Sequence, residues 1–126
     1  MRDILFRGLG TIGKEIMVYG DLLHYGSYTS IRYDVGSDLE PKYIEVPVDP
    51  SSIGQYTGLK DKNKTKIFEG DLVQLENSVR VFEFFMNCFW LIHPQKGFKF
   101  PINMVTEDYL KSIEVIGNIH QHKHLL

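Results

Sequence analysis

The sequence predicts a mainly β protein, and two observations carry this prediction. Almost none of the chain has the spacing of apolar side chains that marks a surface helix. Instead, short runs rich in Val, Ile, Tyr and Phe are interrupted every few residues by Gly, Pro, Asn or Asp, which is typical of strands joined by turns. We therefore expect a β-rich chain with at most one short helix.

Each run that is rich in β-branched and aromatic residues predicts one strand. In chain order the predicted strands are Ile4–Arg7, Met17–His24, Tyr28–Tyr33, Lys42–Pro47, Gln55–Leu59, Asp71–Leu75, Val79–Met86, Cys88–Ile92, Phe98–Phe100 and Ile113–His120. A single helical turn is expected at Thr106–Lys111, because a threonine there can cap the first turn and acidic residues follow it.

The type of aromatic residue changes along the chain. Tyrosine dominates the first part and phenylalanine dominates after residue 50. A buried tyrosine hydroxyl needs a hydrogen-bond partner, whereas a phenylalanine ring needs none. We therefore expect wet or interfacial rings in the first part and a dry core in the second, built from Phe82, Phe84, Phe85, Phe89, Trp90, Phe98 and Phe100. The loop-like segment Val48–Gly54 lies at the change, so we divide the chain into a β-rich region, residues 1–50, and a second domain, residues 51–126.

Composition argues against a global electrostatic attraction to nucleic acid or membrane, an internal disulfide, a secretory signal and a membrane span, and leaves a local basic patch open. The net charge is −2 and the pI about 6.2, so no global field attracts nucleic acid or an acidic membrane. Cys88 is the single cysteine, which excludes an intramolecular disulfide and favours a reducing cytoplasm. Charged residues interrupt the first residues and the most apolar stretch, so we expect neither a secretory signal nor a membrane span.

The most ordered stretch is "GQYTGLKDKNKTKIFEGDLVQL", Gly54 to Leu75. Asp61, Lys62 and Asn63 lie between two strand-like pieces and predict a hairpin. Glycine and asparagine suit a turn residue with positive φ, and an aspartate carboxylate can accept backbone N–H groups at such a corner. We interpret this motif as a device that turns the backbone, formed by Gly54, Gly58, Asp61, Asn63, Gly70 and Asp71.

Four lysines alternate through the same hairpin: Lys60, Lys62, Lys64 and Lys66. On one extended segment they would share a face at a spacing of about 6.7 Å, close to that of phosphates on a single strand. Because a turn intervenes, the four do not form one straight row, and solvated turn lysines are the favoured interpretation. They are nevertheless the best candidates in the chain for contact with single-stranded nucleic acid.

The segment "GLGTIG", Gly8 to Gly13, matches the G-x-G-x-x-G pattern of dinucleotide-binding proteins. That fingerprint requires a helix directly after the last glycine. Here Gly20 and Asp21 interrupt the chain too early and β-branched residues follow, so we expect a flexible hairpin loop and no bound cofactor.

Two further groups of residues suggest chemistry, and both are better explained by structure. His120, His122 and His124 alternate near the end of the chain, but nothing completes a metal site, and we expect a frayed tail. Cys88 and His93 lie five residues apart on a predicted strand, hence on opposite faces. We expect a buried, unreactive cysteine, no catalytic residue and no enzyme activity.

Four segments of the chain form a recognisable set: "ILFR" at Ile4–Arg7, "VYGDL" at Val18–Leu22, the central motif from Gly54, and "VIGNI" at Val115–Ile119. Together they resemble the YopX family of bacteriophage and prophage proteins. The resemblance implies a C-terminal small β-barrel of the Src homology 3 type, preceded by a β-rich N-terminal region, and implies no established activity.

The chain departs from the family's pattern at two points. Lys64 stands where the family commonly has glycine, so the turn must change type or give Asn63 or Lys64 a positive φ. The segment "GLGTIGKEIM" replaces a more polar loop.

These observations predict a non-catalytic interaction module, encoded by a phage or prophage and located in the cytoplasm of a bacterial host. Its partner is expected to be a protein, with a second copy of this chain as one option. The alternative is single-stranded nucleic-acid binding through the Lys60–Lys66 hairpin.

Overall fold

A computed structural model describes residues 3–12, 16–85, 88–92, 99–101 and 110–126 of the chain. Nearly all their regular structure is strand, which confirms the mainly β class. The strands are β1 (Phe6–Leu9), β2 (Met17–Tyr25), β3 (Tyr28–Asp34), β4 (Tyr43–Val48), β5 (Gly54–Lys60), β6 (Lys66–Phe68), β7 (Asp71–Leu75), β8 (Ser78–Phe85), β9 (Cys88–Ile92), β10 (Lys99–Pro101) and β11 (Ile113–Asn118). Two 3-10 turns, Pro50–Ser52 and Lys123–Leu125, accompany them.

The chain forms two compact units, Met1–Tyr56 and Thr57–Leu126, here called unit 1 and unit 2. The division lies after Tyr56, several residues beyond the predicted one at residue 50. The reason is strand pairing: Gly54 lies opposite Arg7 and Gln55 opposite Phe6, so the start of β5 belongs to the first sheet.

Unit 1 is an antiparallel sheet in the order β4-β3-β2-β1, with the first residues of β5 beside β1. Ile31 and Val48 are buried in it, and an isolated bridge joins Gly10 to Val48. The loop after β4 is ordered by Ser52, whose Oγ accepts a hydrogen bond from Leu9 N–H at 2.8 Å and donates one to Asp49 O at 2.6 Å.

The glycines of unit 1 allow close packing of the backbone. A methyl group at Gly8 would lie 3.1 Å from Cβ of Val48, and one at Gly20 would overlap the carbonyl oxygen of Arg32. The prediction of a flexible loop across Gly8–Gly13 is therefore wrong for its first residues, since Gly8 lies within β1 and Gly10 pairs with Val48. From Met17 onward the chain forms strand β2, where a dinucleotide fingerprint would require a helix.

Unit 2 contains the β5–β6 hairpin and a five-stranded antiparallel sheet in the order β10-β9-β8-β7-β11. Its core joins Ile67, Val73, Phe82 and Ile113, which are all fully buried and packed against partly buried aliphatic side chains. Phe82 thus lies in the dry core predicted for it. The other predicted core rings, Phe84, Phe85, Phe89, Trp90, Phe98 and Phe100, lie outside the described side chains.

Within the described part of unit 2 the strands form an open sheet and a hairpin, without closure into a barrel. The predicted strands are present with small differences at their ends, and β6 is an additional strand. The predicted helical turn at Thr106–Lys111 falls mostly outside the described residues, as does His93. No helix among the described residues is long and apolar enough to cross a membrane.

Candidate functional site

Asp61 is a structural carboxylate at the centre of the β5–β6 loop. Its side chain is buried, and its Oδ1 accepts hydrogen bonds from Asn63 N–H at 2.8 Å and Thr65 N–H at 2.9 Å. Its Oδ2 accepts a third from Val115 N–H at 2.8 Å. One carboxylate therefore fixes the loop and attaches it to β11, which leaves it little freedom for chemistry with a substrate.

The other residues of the turn motif also have structural roles, as positions of unusual backbone conformation or as hydrogen-bond partners of backbone N–H groups. Gly58 and Gly70 have φ of 85° and 82°, in the left-handed region that favours glycine. Asp71 is buried, and its Oδ2 accepts a hydrogen bond from Phe68 N–H at 2.7 Å. Lys64 has φ of 64°, so it takes the left-handed conformation at the position where the family commonly has glycine. Gly54 differs, because it lies in the strand paired with β1.

The four hairpin lysines are exposed but do not act as one group. Lys60 ends β5, Lys66 begins β6, and Lys62 and Lys64 lie in the loop between them. Lys62 Nζ is 3.5 Å from Oε2 of Glu114, so this charge is partly compensated. The lysines therefore present no straight cationic row.

The C-terminal histidines lie in an ordered turn, so the prediction of a frayed tail is wrong. Asn118 Oδ1 accepts hydrogen bonds from His120 N–H at 3.0 Å and Gln121 N–H at 2.9 Å. His122 Nδ1 accepts one from Asn118 N–H at 3.0 Å. The cause is an asparagine that caps the turn after β11. Among the described residues, no group of three or more His, Cys, Asp or Glu side chains has the proximity needed to hold a metal ion.

The most distinctive surface of unit 1 is one side of its sheet, which we call the tyrosine face: Tyr25, Tyr28, Arg32, Tyr43 and Glu45. Strand pairing brings these residues together, because Tyr25 lies opposite Tyr28, and Arg32 lies opposite Glu45. Side chains two residues apart on a strand share a side, so β2, β3 and β4 all contribute to the same surface. The three tyrosines are exposed by 44%, 49% and 58% in chain order.

A tight hairpin creates the first ring pair of this face. Gly26 and Ser27 connect β2 to β3, and Gly26 has φ of 52°, as two-residue hairpin turns require. Tyr25 and Tyr28 are thus directly opposed, and their rings stack with centroids 5.2 Å apart and planes inclined by 26°. The pair presents a fixed aromatic surface at the tip of the hairpin.

Arg32 and Tyr43 form the second aromatic contact. The guanidinium carbon of Arg32 lies 4.8 Å from the centroid of the Tyr43 ring, a cation–π geometry. Arg32 Nε is buried and makes no hydrogen bond to the described residues. Among the described residues, stacking on Tyr43 is therefore the contact that positions this guanidinium.

Carboxylates border the rings. Glu45 Oε1 accepts a hydrogen bond from the Tyr25 hydroxyl at 2.9 Å, and this bond is the main cause that raises the pKa of Tyr25 above its usual value of 10.0. Asp21 lies opposite Arg32 on the same side of the sheet. Asp34 Oδ1 accepts from Gly36 N–H at 2.8 Å and Lys42 N–H at 2.9 Å, and these bonds lower the pKa of Asp34.

The tyrosine face has the composition of a binding surface. It offers stacking on aromatic rings, hydrogen bonds from hydroxyl and guanidinium groups, and carboxylates for ion pairing. The sequence predicted wet tyrosines in this part of the chain but did not identify the cluster. The sequence does contain a signal for it. A two-residue turn at Gly26–Ser27 places the residues on either side of it, Tyr25 and Tyr28, directly opposite each other.

Comparisons with known proteins identify the chain's family and its fold. A family model described as YopX protein matches residues 6–126, which confirms the resemblance drawn from the sequence motifs. A solved structure described as the crystal structure of protein EF1440 from Enterococcus faecalis is similar with a TM-score of 0.61 and 24% identity. The match covers 100% of this chain and 99% of that chain, and at this identity it bears on the fold alone. A comparison with curated proteins finds no match.

Proposed function

The chain belongs to the YopX family, and from this premise we propose that it is a non-catalytic protein-interaction module whose contact surface is the tyrosine face of unit 1. The observation that supports the proposal is the exposure of Tyr25, Tyr28 and Tyr43 on one side of a sheet. Tyrosine is enriched at protein interfaces because its ring buries a large apolar area and its hydroxyl still finds a partner.

The fixed geometry of the rings also supports binding. Tyr25 is held by its stacking with Tyr28 and by its hydrogen bond to Glu45, and Tyr43 is held beneath Arg32. A ring that is already ordered loses little conformational entropy when a partner covers it. The face therefore has a lower cost of association than the same rings on a flexible loop.

The competing proposal is single-stranded nucleic-acid binding through Lys60, Lys62, Lys64 and Lys66. Their exposure is compatible with phosphate contacts, but the division of the lysines between two strands and a loop gives no continuous track for a backbone. We also propose, from the family resemblance, that the protein acts in the cytoplasm of a bacterial host and that unit 2 is related to small barrels of the Src homology 3 type.

Site-specific photo-crosslinking in cells tests the proposed surface. A benzoylphenylalanine at Tyr28 should yield a discrete protein adduct, and the same group at Asn77, an exposed turn residue of unit 2, should not. Arg32→Ala, which leaves the crosslinker in position, should reduce the adduct. Equal crosslinking from both positions would contradict the proposal. Recovery of nucleic acid that depends on the lysines would support the competing one.

A further inference from the structure

We infer that the tyrosine face recognises an arginine side chain of its protein partner, a conclusion that rests on the proposed function and specifies its ligand. The guanidinium group is planar, stacks on aromatic rings and donates paired hydrogen bonds to a carboxylate. The face supplies both kinds of contact at Tyr25, Tyr28 and Glu45.

The stacked pair and the carboxylate are adjacent. The Tyr25 hydroxyl donates to Glu45 Oε1 at 2.9 Å, so this carboxylate lies at the edge of the Tyr25 ring. Oε2 of Glu45 accepts no hydrogen bond from the described residues and remains a free acceptor. A guanidinium that lies over the exposed ring of Tyr25 can therefore donate to Glu45 at the same time.

The same side of the sheet already contains one arginine that is stacked on a tyrosine ring. Arg32 lies over Tyr43 with its guanidinium carbon 4.8 Å from the ring centroid. Tyr25 and Tyr28, by contrast, stack on each other and have no cation over them among the described residues. The face thus repeats an aromatic site for a guanidinium, with the chain's own arginine occupying one of the two.

The charges of the face favour a cation as its ligand. Asp21 and Glu45 lie on either side of Arg32 in the strand register, and both carboxylates are exposed. Asp34 adds a third negative charge on this side of β3. Acidic residues thus outnumber the half-buried arginine. An anionic ligand, nucleic acid included, would be repelled by this surface, whereas a cationic one gains Coulomb energy.

Arginine fits better than lysine for two reasons. An ammonium group is compact and strongly hydrated, so it gives up more solvation when it contacts a ring. The ammonium group also has no flat surface that could stack on a tyrosine ring. Discrimination between the two cations is therefore the signature of this site, since a merely negative surface would bind both alike.

NMR titration of the full ¹⁵N-labelled chain tests the inference. The probe is the peptide acetyl-Gly-Arg-Gly-Arg-Gly-amide, and its matched comparison is the same peptide with lysine at both arginine positions. We expect saturable shifts of the Tyr25 and Tyr28 amide signals, with the arginine peptide binding roughly fivefold more tightly than the lysine peptide. Glu45→Gln should weaken arginine-peptide binding roughly threefold, because it removes the charge and retains the shape.

A control variant separates this site from general electrostatics. Glu114→Gln removes a half-exposed carboxylate from unit 2 and should leave arginine-peptide binding unchanged. The inference is overturned by the absence of saturable shifts, by equal binding of the two peptides, or by an equal effect of the two glutamine variants. If crosslinking at Tyr28 still captures a protein in that case, the proposed function stands and only its arginine specificity fails.

Discussion

Asp61→Ala provides the sharpest test of the turn motif. The substitution removes a carboxylate that accepts three backbone N–H groups, those of Asn63, Thr65 and Val115. Asn63 and Thr65 are exposed, so water can replace the lost acceptor for their N–H groups in part. Val115 is half-buried in β11, so its N–H group is less accessible to water. The variant should therefore lose the attachment of the loop to β11 as well as the order of the loop.

The expected cost is about 3 kcal/mol of unfolding free energy. A hydrogen bond to a charged group contributes about 1.5–3 kcal/mol, and a buried donor left without an acceptor costs about 1–3 kcal/mol. We assign about 1 kcal/mol to each of the two solvated donors and somewhat more to Val115. With a urea dependence of about 2 kcal/mol/M, the unfolding midpoint should fall by roughly 1.5 M.

Urea unfolding followed by circular dichroism and tryptophan fluorescence measures this change. Asp38→Ala is the matched control, because Asp38 is an exposed aspartate in the β3–β4 loop, and it should change stability by less than about 0.5 kcal/mol. The loss of stability in Asp61→Asn should lie between those of Asp61→Ala and Asp38→Ala. The asparagine amide keeps one acceptor oxygen, but its NH₂ group faces a backbone N–H in place of the other oxygen. A loss below about 1 kcal/mol for Asp61→Ala would refute the reasoning, because it would mean that the three bonds contribute almost nothing.

Three further predictions concern the backbone. Lys64→Gly should stabilise unit 2 by roughly 0.5–1 kcal/mol in urea unfolding, because glycine relieves the strain of φ at 64°; a destabilised variant would contradict this. Gly20→Ala should destabilise unit 1 by more than about 2 kcal/mol, since the added methyl overlaps the Arg32 carbonyl, and wild-type stability would refute it. Asp34 should titrate in NMR below its pKa in the urea-unfolded chain, because Gly36 and Lys42 N–H groups favour its charged form. The stability that this carboxylate contributes is present above its ordinary pKa of 3.8 and is lost as the pH falls through the lower, folded value. If Asp34 titrated at the same pH in the folded and the unfolded chain, the prediction of a lowered pKa would be wrong.

The parts of the fold that depend on local sequence could be predicted. Strand-forming runs and turn residues specify most strands within a few residues, and the substitution of lysine for glycine at position 64 leads directly to a strained turn. The pairing of Tyr25 with Tyr28 was not predicted, because the predicted strand ended at His24. It nevertheless depends on local sequence, since a two-residue turn fixes the register of the strands beside it.

The parts that depend on long-range pairing could not be predicted. Glu45 reaches Tyr25 because β4 pairs with β3 across the loop of residues 35–42, whose length leaves the register open. Val115 meets Asp61 from 54 residues further along the chain. The division between the two units lies after Tyr56, and not at residue 50, for the same reason, since the start of β5 pairs with β1. No nearby residue specifies any of these contacts.

The carboxylates of the turn motif and those of the tyrosine face have different roles. Several aspartates accept backbone N–H groups from neighbouring residues: Asp34, Asp49, Asp61 and Asp71. These hydrogen bonds order loops and turns, so a ligand that competed for the same carboxylates would destabilise the fold. Glu45 instead accepts from a tyrosine hydroxyl and keeps a free oxygen, and Asp21 makes no bond to a described backbone group. Under the proposed function, a partner would therefore contact these two acids, which lie beside the exposed tyrosines, without loss of backbone order.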